Sequence, residues 1–157
     1  METTRHFTAT VYIVNAGKTA LHKHPSLDMW LPPGGHIDRD ELPHDAAIRE
    51  AYEETGLHVE LLHDCEGPSS DTARPIPQPA TLLLEDIAVA GDHVVHQHID
   101  FIYFGTVKSR TIAPAKSEEV EPNSWQWFSP AELKQSTQFD EDVVSHGIQD
   151  IDQAKDK

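Results

Sequence analysis

The chain has 157 residues, enough to bury one core without staples, and its formal charge of −15 comes from 27 acidic against 12 basic residues. That balance argues against a polynucleotide partner, whose phosphate backbone is held by a basic footprint. A lone cysteine, Cys65, excludes an internal disulfide and a Cys-x-x-Cys site, and no apolar run reaches the length of a signal sequence or membrane span, so the expectation is one soluble, cytoplasmic domain over residues 1–157. The acid is spread along the chain rather than gathered in a tail, which suits a solvated surface or, alternatively, adaptation to high salt.

FTATVYIVN (7–15) is rich in β-branched and aromatic residues and reads as a strand, turning at Asn15-Ala16-Gly17 into a second strand, TALHKH. PSLDMWLPPGG (25–35) carries three prolines and two glycines and reads as a loop leading to a helix. Pro43 suits the first helical position, Asp45 favours the dipole of the first turn, and Gly56 is placed to end the helix. LHVELL (57–62) reads as a strand, followed by a proline-rich surface loop through residue 80. ATLLLEDIAVA and HVVHQHIDFIYFGTV flank Gly91-Asp92, a hairpin signal, and their apolar content predicts two paired, largely buried strands. SWQWFSPAELKQ reads as a strand running into a short helix capped by Ser129. In the tail, Phe139, Val143, Val144, Ile148 and Ile151 recur every three or four residues, predicting an amphipathic helix over about 139–153 that packs on the sheet.

The densest chemistry is GGHIDRDELPHDAAIREAYEETGL. On a helix Glu50, Glu53 and Glu54 project to one side. If solvated, their repulsion costs only about 0.2–0.5 kcal/mol per pair, so an exposed acidic helix with Arg49 pairing to Glu53 is one reading. The glycine-rich loop just before the helix supports another, because tightly turning backbone offers carbonyl oxygens beside the carboxylates. Hard divalent cations such as Mg2+ take that oxygen-only environment and share the phosphates of a substrate.

Gly35, Glu41, Arg49, Glu50, Glu53, Glu54, Gly56 and Leu57 resemble the signature of the Nudix hydrolases: Gly, five residues, Glu, seven residues, Arg-Glu-apolar-x-Glu-Glu-x-Gly-apolar. There is no insertion or deletion; Ala51 stands where a larger aliphatic is usual. Trp30-x-Pro-Pro-Gly-Gly and WQWFSPAEL also look like flanking pattern of that family. The resemblance implies an α/β/α sandwich with a mixed central sheet and a loop–helix–loop site. It implies Mg2+ or Mn2+ as cofactor, held by Glu50 and Glu54 with help from Glu53 and the carbonyl of Gly34. Glu41 is implied to act through a water at the metal or by holding Arg49, and Arg49 to orient the glutamates. The implied reaction is hydrolysis of a pyrophosphate linkage in a nucleoside diphosphate joined to another group. The expected partner is a small nucleotide, with no polynucleotide, no membrane and homodimerisation left open.

The attacking water needs a proton acceptor. Glu53 within the motif and Glu119 in SEEVEP are the candidates, a solvated acidic turn being the plain reading of the latter. His96, His98 and Asp100 alternate onto one face of their strand. With His22, His24 and His36 they invite a zinc reading, but no His-x-x-Glu-His or similar close pattern supports it. His98 and Asp100 are read as lining the substrate pocket, or else as solvated residues at a strand end. Trp30 and Tyr103 are candidates to stack a base, whereas Phe101 and Trp127 read as core.

Marks of substrate subfamilies are incomplete: Pro68 and Pro75 bracket the proline of ADP-ribose enzymes, and the tyrosine of dinucleoside polyphosphate enzymes has no counterpart. A (d)NTP or small nucleotide derivative is therefore the leading substrate class. The alternatives are an ADP-ribose or nucleotide-sugar hydrolase, a nucleotide-binding sensor without catalysis, and an isopentenyl-type isomerase.

Overall fold

In a computed structural model, residues 1–116 and 121–157 are described. Strands β1 (Thr4–Asn15), β2 (Lys18–Lys23), β3 (Trp30–Leu31) and β4 (Gly34–His36) precede helix α1 (Pro43–Thr55). Then come β5 (Glu60–Leu61), β6 (Thr81–Ala90), β7 (His93–Thr106), β8 (Trp125–Phe128), α2 (Pro130–Gln135) and α3 (Glu141–Ala154). The strands form one mixed sheet in the order β3-β2-β1-β7-β5, with β4 also on β1, β6 on β7 and β8 on β2. Its spine is the parallel pairing of β1 with β7, in unbroken register from Thr4↔His96 to Val14↔Thr106.

Alternation along β1 divides the core into two layers. Ala9, Val11 and Ile13 join Ala46, Ala47 and Ala51 of α1, together with Tyr103 and Trp125. Tyr12 joins Ile102, Phe104, Leu133, Phe139 and Val143 on the side of α2 and α3. Helices thus cover both faces, the α/β/α sandwich. Ala51 is fully buried, so the small side chain at that position lets α1 lie close to β1.

Local signals act where they were read. Pro43 opens α1, and Gly56 closes it at φ +74, a left-handed conformation in which an added Cβ would also strike the carbonyl of Ala113. Ser129 and Glu132 form a reciprocal capping box on α2.

Three expectations need correction. Within 57–62 only Glu60–Leu61 pairs as a strand, because β6 occupies the same edge of β7 up to Ile102 and leaves β5 the Gly105–Thr106 end. Strand β6 is not largely buried: Leu82, Leu84, Ile87 and Val89 are exposed, since no helix among the described residues covers their side. The last helix starts at Glu141 with Asp140 as N-cap, and Phe139 packs in the core ahead of it.

Asp150, on α3, is fully buried, its carboxylate lying beside the Gly105 backbone without completing a hydrogen bond. Burial holds its pKa well above the carboxylate range. The fold therefore favours the protonated acid, and stability present below the unfolded pKa, about 3.9, is lost as pH rises toward the folded value. Asp150→Asn should raise the melting temperature at pH 8 by roughly 2–12 °C, given about 1–3 kcal/mol for an unsatisfied buried group. The gain should shrink to nothing near pH 4. Thermal melts across that range check this; a pH-independent change would contradict it.

Candidate active site

Strand β1 pairs with β2 only at Val14↔Thr19 and Asn15↔Lys18, and with β4 at Thr8–Thr10. Between these pairings the sheet parts, and a cavity of about 350 Å³ opens there. Thr8, Thr10 and Tyr12 of β1 line it with His98 and Asp100 of β7, Glu85 of β6, Asp142 and Val143 of α3, and Gly34, Gly35, His36, His22 and Glu54. Among the described residues that line it, four are carboxylates and none is lysine or arginine.

The glutamates are gathered by one guanidinium. Arg49 Nε donates to Glu41 Oε2 at 2.7 Å and Nη2 to Glu41 Oε1 at 2.9 Å, a two-pronged pair. Nη1 donates to Glu50 Oε1 at 2.9 Å and to Glu53 Oε2 at 3.1 Å, while Nη2 also reaches the His36 carbonyl at 3.0 Å. These bonds, with Glu41 foremost, raise the Arg49 pKa further and hold Glu41 below the usual carboxylate range. Lys116 Nζ stands 2.9 Å from Glu53 Oε1, brought there because the Ala115 amide caps the Glu53 carbonyl at 3.0 Å.

Glu54 is 5% exposed, and its Oε1 accepts the Gly34 amide at 3.1 Å. His22 Nε2 lies 3.9 Å from Glu54, but burial, then His24, lowers the His22 pKa to about 4, so at neutral pH the imidazole carries no charge to offset the carboxylate. Gly35 makes room for Glu50: a Cβ there would lie 2.5 Å from the Glu50 carboxyl. A largely shielded, oxygen-only donor set with a glycine cradle, gathered by the Arg49 guanidinium, fits a hard divalent ion.

Glu41, Arg49, Glu50, Glu53, Glu54 and Gly34 are thus brought together by the loop before α1 and one face of that helix. His98 and Asp100 line the adjoining cavity, where Thr10 Oγ1 lies 2.8 and 3.1 Å from the two Asp100 oxygens. Glu119 lies outside the described residues. Trp30 and Tyr103 do not reach the cavity as expected of base-stacking groups. Trp30 is buried edge-on to Phe128, with Nε1 donating to Gln138 at 3.0 Å. Tyr103 has the opposite parity to Asp100 on β7, so it turns into the α1 layer, fully buried, where burial pushes its pKa up to about 12.

The sequence reading missed Glu85 and Lys116. Glu85 faces Asp100, and burial and that neighbour hold it above the usual carboxylate range. Its place follows from the β6/β7 register, Glu85↔His98, which hairpin composition alone does not fix. No helix among the described residues is long and apolar enough to cross a membrane.

A profile of the NUDIX domain matches residues 4–146. A NUDIX-family hydrolase from Clostridium perfringens superposes with TM-score 0.79 at 32% identity, over 95% of this chain and 97% of that one. A MutT NUDIX hydrolase from Burkholderia pseudomallei shares the fold, with TM-score 0.62 at 19% identity over 96% and 98%. The m7GpppN-mRNA hydrolase NUDT17 of Danio rerio is 53% identical over 32 residues, 20% of this chain but only 11% of that protein. With the glutamates on their loop and helix and the domain matched over most of its length, the chain belongs to the NUDIX family and is a hydrolase acting on pyrophosphate bonds.

Proposed function

We propose that the chain is a Mg2+- or Mn2+-dependent pyrophosphohydrolase that cleaves a nucleoside diphosphate linked to another moiety, with a (d)NTP or small nucleotide derivative as substrate. One observation carries this reading: a cavity lined by four carboxylates, without lysine or arginine, adjoins the glutamate face of α1. A polyphosphate is repelled from such a cavity unless cations enter with it. NUDIX hydrolases in general use divalent metals, which agrees.

Glu50, Glu53 and Glu54, with the Gly34 carbonyl, are the residues that would hold the ion; when bound, it supplies Lewis acidity and positive charge to the phosphoryl group. Arg49 keeps three carboxylates in one arrangement, and Glu41 keeps Arg49 in place by its two-pronged contact. Glu53 accepts the proton of the attacking water, with Glu119 as the other candidate. The Lys116 contact to Glu53 is at the surface, where that side chain is 56% exposed. His98 and Asp100 orient the substrate from the sheet.

The test is a nucleotide panel assayed with Mg2+ or Mn2+ for release of phosphate, pyrophosphate or nucleoside monophosphate. Turnover of at least one nucleotide, lost in Glu53→Gln, is expected. Tight nucleotide binding with no turnover would replace this reading with that of a sensor, and full activity of Glu53→Gln would remove Glu53 as the base.

A further inference from the structure

At the rim of the cavity four imidazoles meet on one face of the sheet. His6 of β1 lies beside His98 of β7 in register, His96 lies two residues before His98, and His36 of β4 pairs at Thr8. One nitrogen from each of His6, His96 and His98 lies within 4.8 Å of the others. His6 Nδ1 and His36 Nε2 are 3.3 Å apart, and the His36 and His98 ring centres 5.1 Å. Metal–nitrogen bonds of about 2.0–2.1 Å in a tetrahedron put ligand nitrogens roughly 3.3–3.4 Å apart, so the first pair is already at ligand spacing and the others need only side-chain rotation.

The backbone beneath is fixed, since neighbouring strands are held about 4.8 Å apart and β1/β7 pair without a break around these residues. A supporting hydrogen bond is also present. Thr4 Oγ1 lies 3.2 Å from the Val95 carbonyl and 2.8 Å from His96 Nδ1, so the hydroxyl holds that ring nitrogen in a hydrogen bond. With Nδ1 engaged in this way, Nε2 is the nitrogen left to face an ion, the arrangement that outer partners give ligating histidines.

We propose that His6, His96 and His98, joined by His36, form a binding site for a borderline divalent transition ion, Zn2+ or Co2+, separate from the glutamate face of α1. Imidazole donors select such ions, whereas Mg2+ and Mn2+ prefer the oxygen set. Because His36 and His98 also line the cavity, an ion there places positive charge on a rim without lysine or arginine. The site stands whether or not the proposed substrate class is right.

The test uses the full chain free of any oligohistidine tag, in excess Mg2+ so that the carboxylates are filled. Co2+ titration followed by visible absorption, and Zn2+ competition against it, should show one site per chain with an intense tetrahedral-type band. Thr4→Val should weaken binding by about 10–100-fold, the usual cost of losing an outer partner. His6→Ala and His96→Ala should weaken it further, and circular dichroism verifies that each variant is folded. Absence of a Co2+ signal in excess Mg2+, or equal affinity in the folded His6→Ala and His96→Ala variants, would overturn the proposal.

Discussion

Glu54→Gln should lower kcat/KM by about 10²–10³, the effect of removing about 3–4 kcal/mol of charge stabilisation from the transition state. The same substitution should leave the metal-free protein about as stable as before. Glu54 is 5% exposed and its Oε1 accepts the Gly34 amide, a bond that the glutamine carbonyl can keep. Glutamine also matches glutamate in volume, so the packing around the side chain is kept. A loss of activity with an unchanged melting temperature separates a functional carboxylate from a structural one. Steady-state kinetics at saturating Mg2+ and melts in EDTA give both quantities; a large fall in melting temperature with unchanged kcat/KM would mark Glu54 as structural.

Arg49→Ala should destabilise the fold by about 2–3 kcal/mol, below the 3–5 typical of a broken buried pair because Arg49 is 27% exposed. For a chain of this size that is roughly 4–12 °C of melting temperature. Glu41, Glu50 and Glu53 would then stand close together without the shared cation. Arg49→Lys should recover little, since an ammonium cannot grip both Glu41 oxygens while also reaching Glu50, Glu53 and the His36 carbonyl. Millimolar Mg2+ should return part of the stability to Arg49→Ala, because a divalent ion can bridge the same carboxylates. Calorimetry of both variants with and without Mg2+ tests this. A lysine variant as stable as the parent would show that charge alone, not the fork, organises the cluster.

How far these features could be read in advance depends on the range over which they are encoded. Pro43, Gly56, Ser129 and Glu132 act within a helical turn of themselves, so the bounds of α1 and α2 were legible. The spacing of Glu50, Glu53 and Glu54 is likewise local, and helical geometry converts it directly into one face. Tyr103 was misassigned although its parity relative to Asp100 carries the answer: three positions apart on a strand puts them on opposite faces. Trp30 could not be assigned from its own segment, because its partners Phe128, Gln138 and Phe139 arrive from about a hundred residues away or more. The histidine cluster has the same origin. His96 and His98 were visible as a pair, but His6 joins them only through the parallel pairing of β1 with β7, and no local pattern sets that register. Burial of β6 was overestimated because its composition shows apolar content and not whether a helix lies over it.

The most direct measurement is turnover of the best nucleotide from the panel in oxygen-18 water, with Mg2+ and with EDTA, followed by mass spectrometry of both products. One oxygen-18 atom in one phosphoryl product, formed only when the divalent ion is present, is expected of water attack at this carboxylate site. Unlabelled products, or turnover that survives EDTA undiminished, would contradict it.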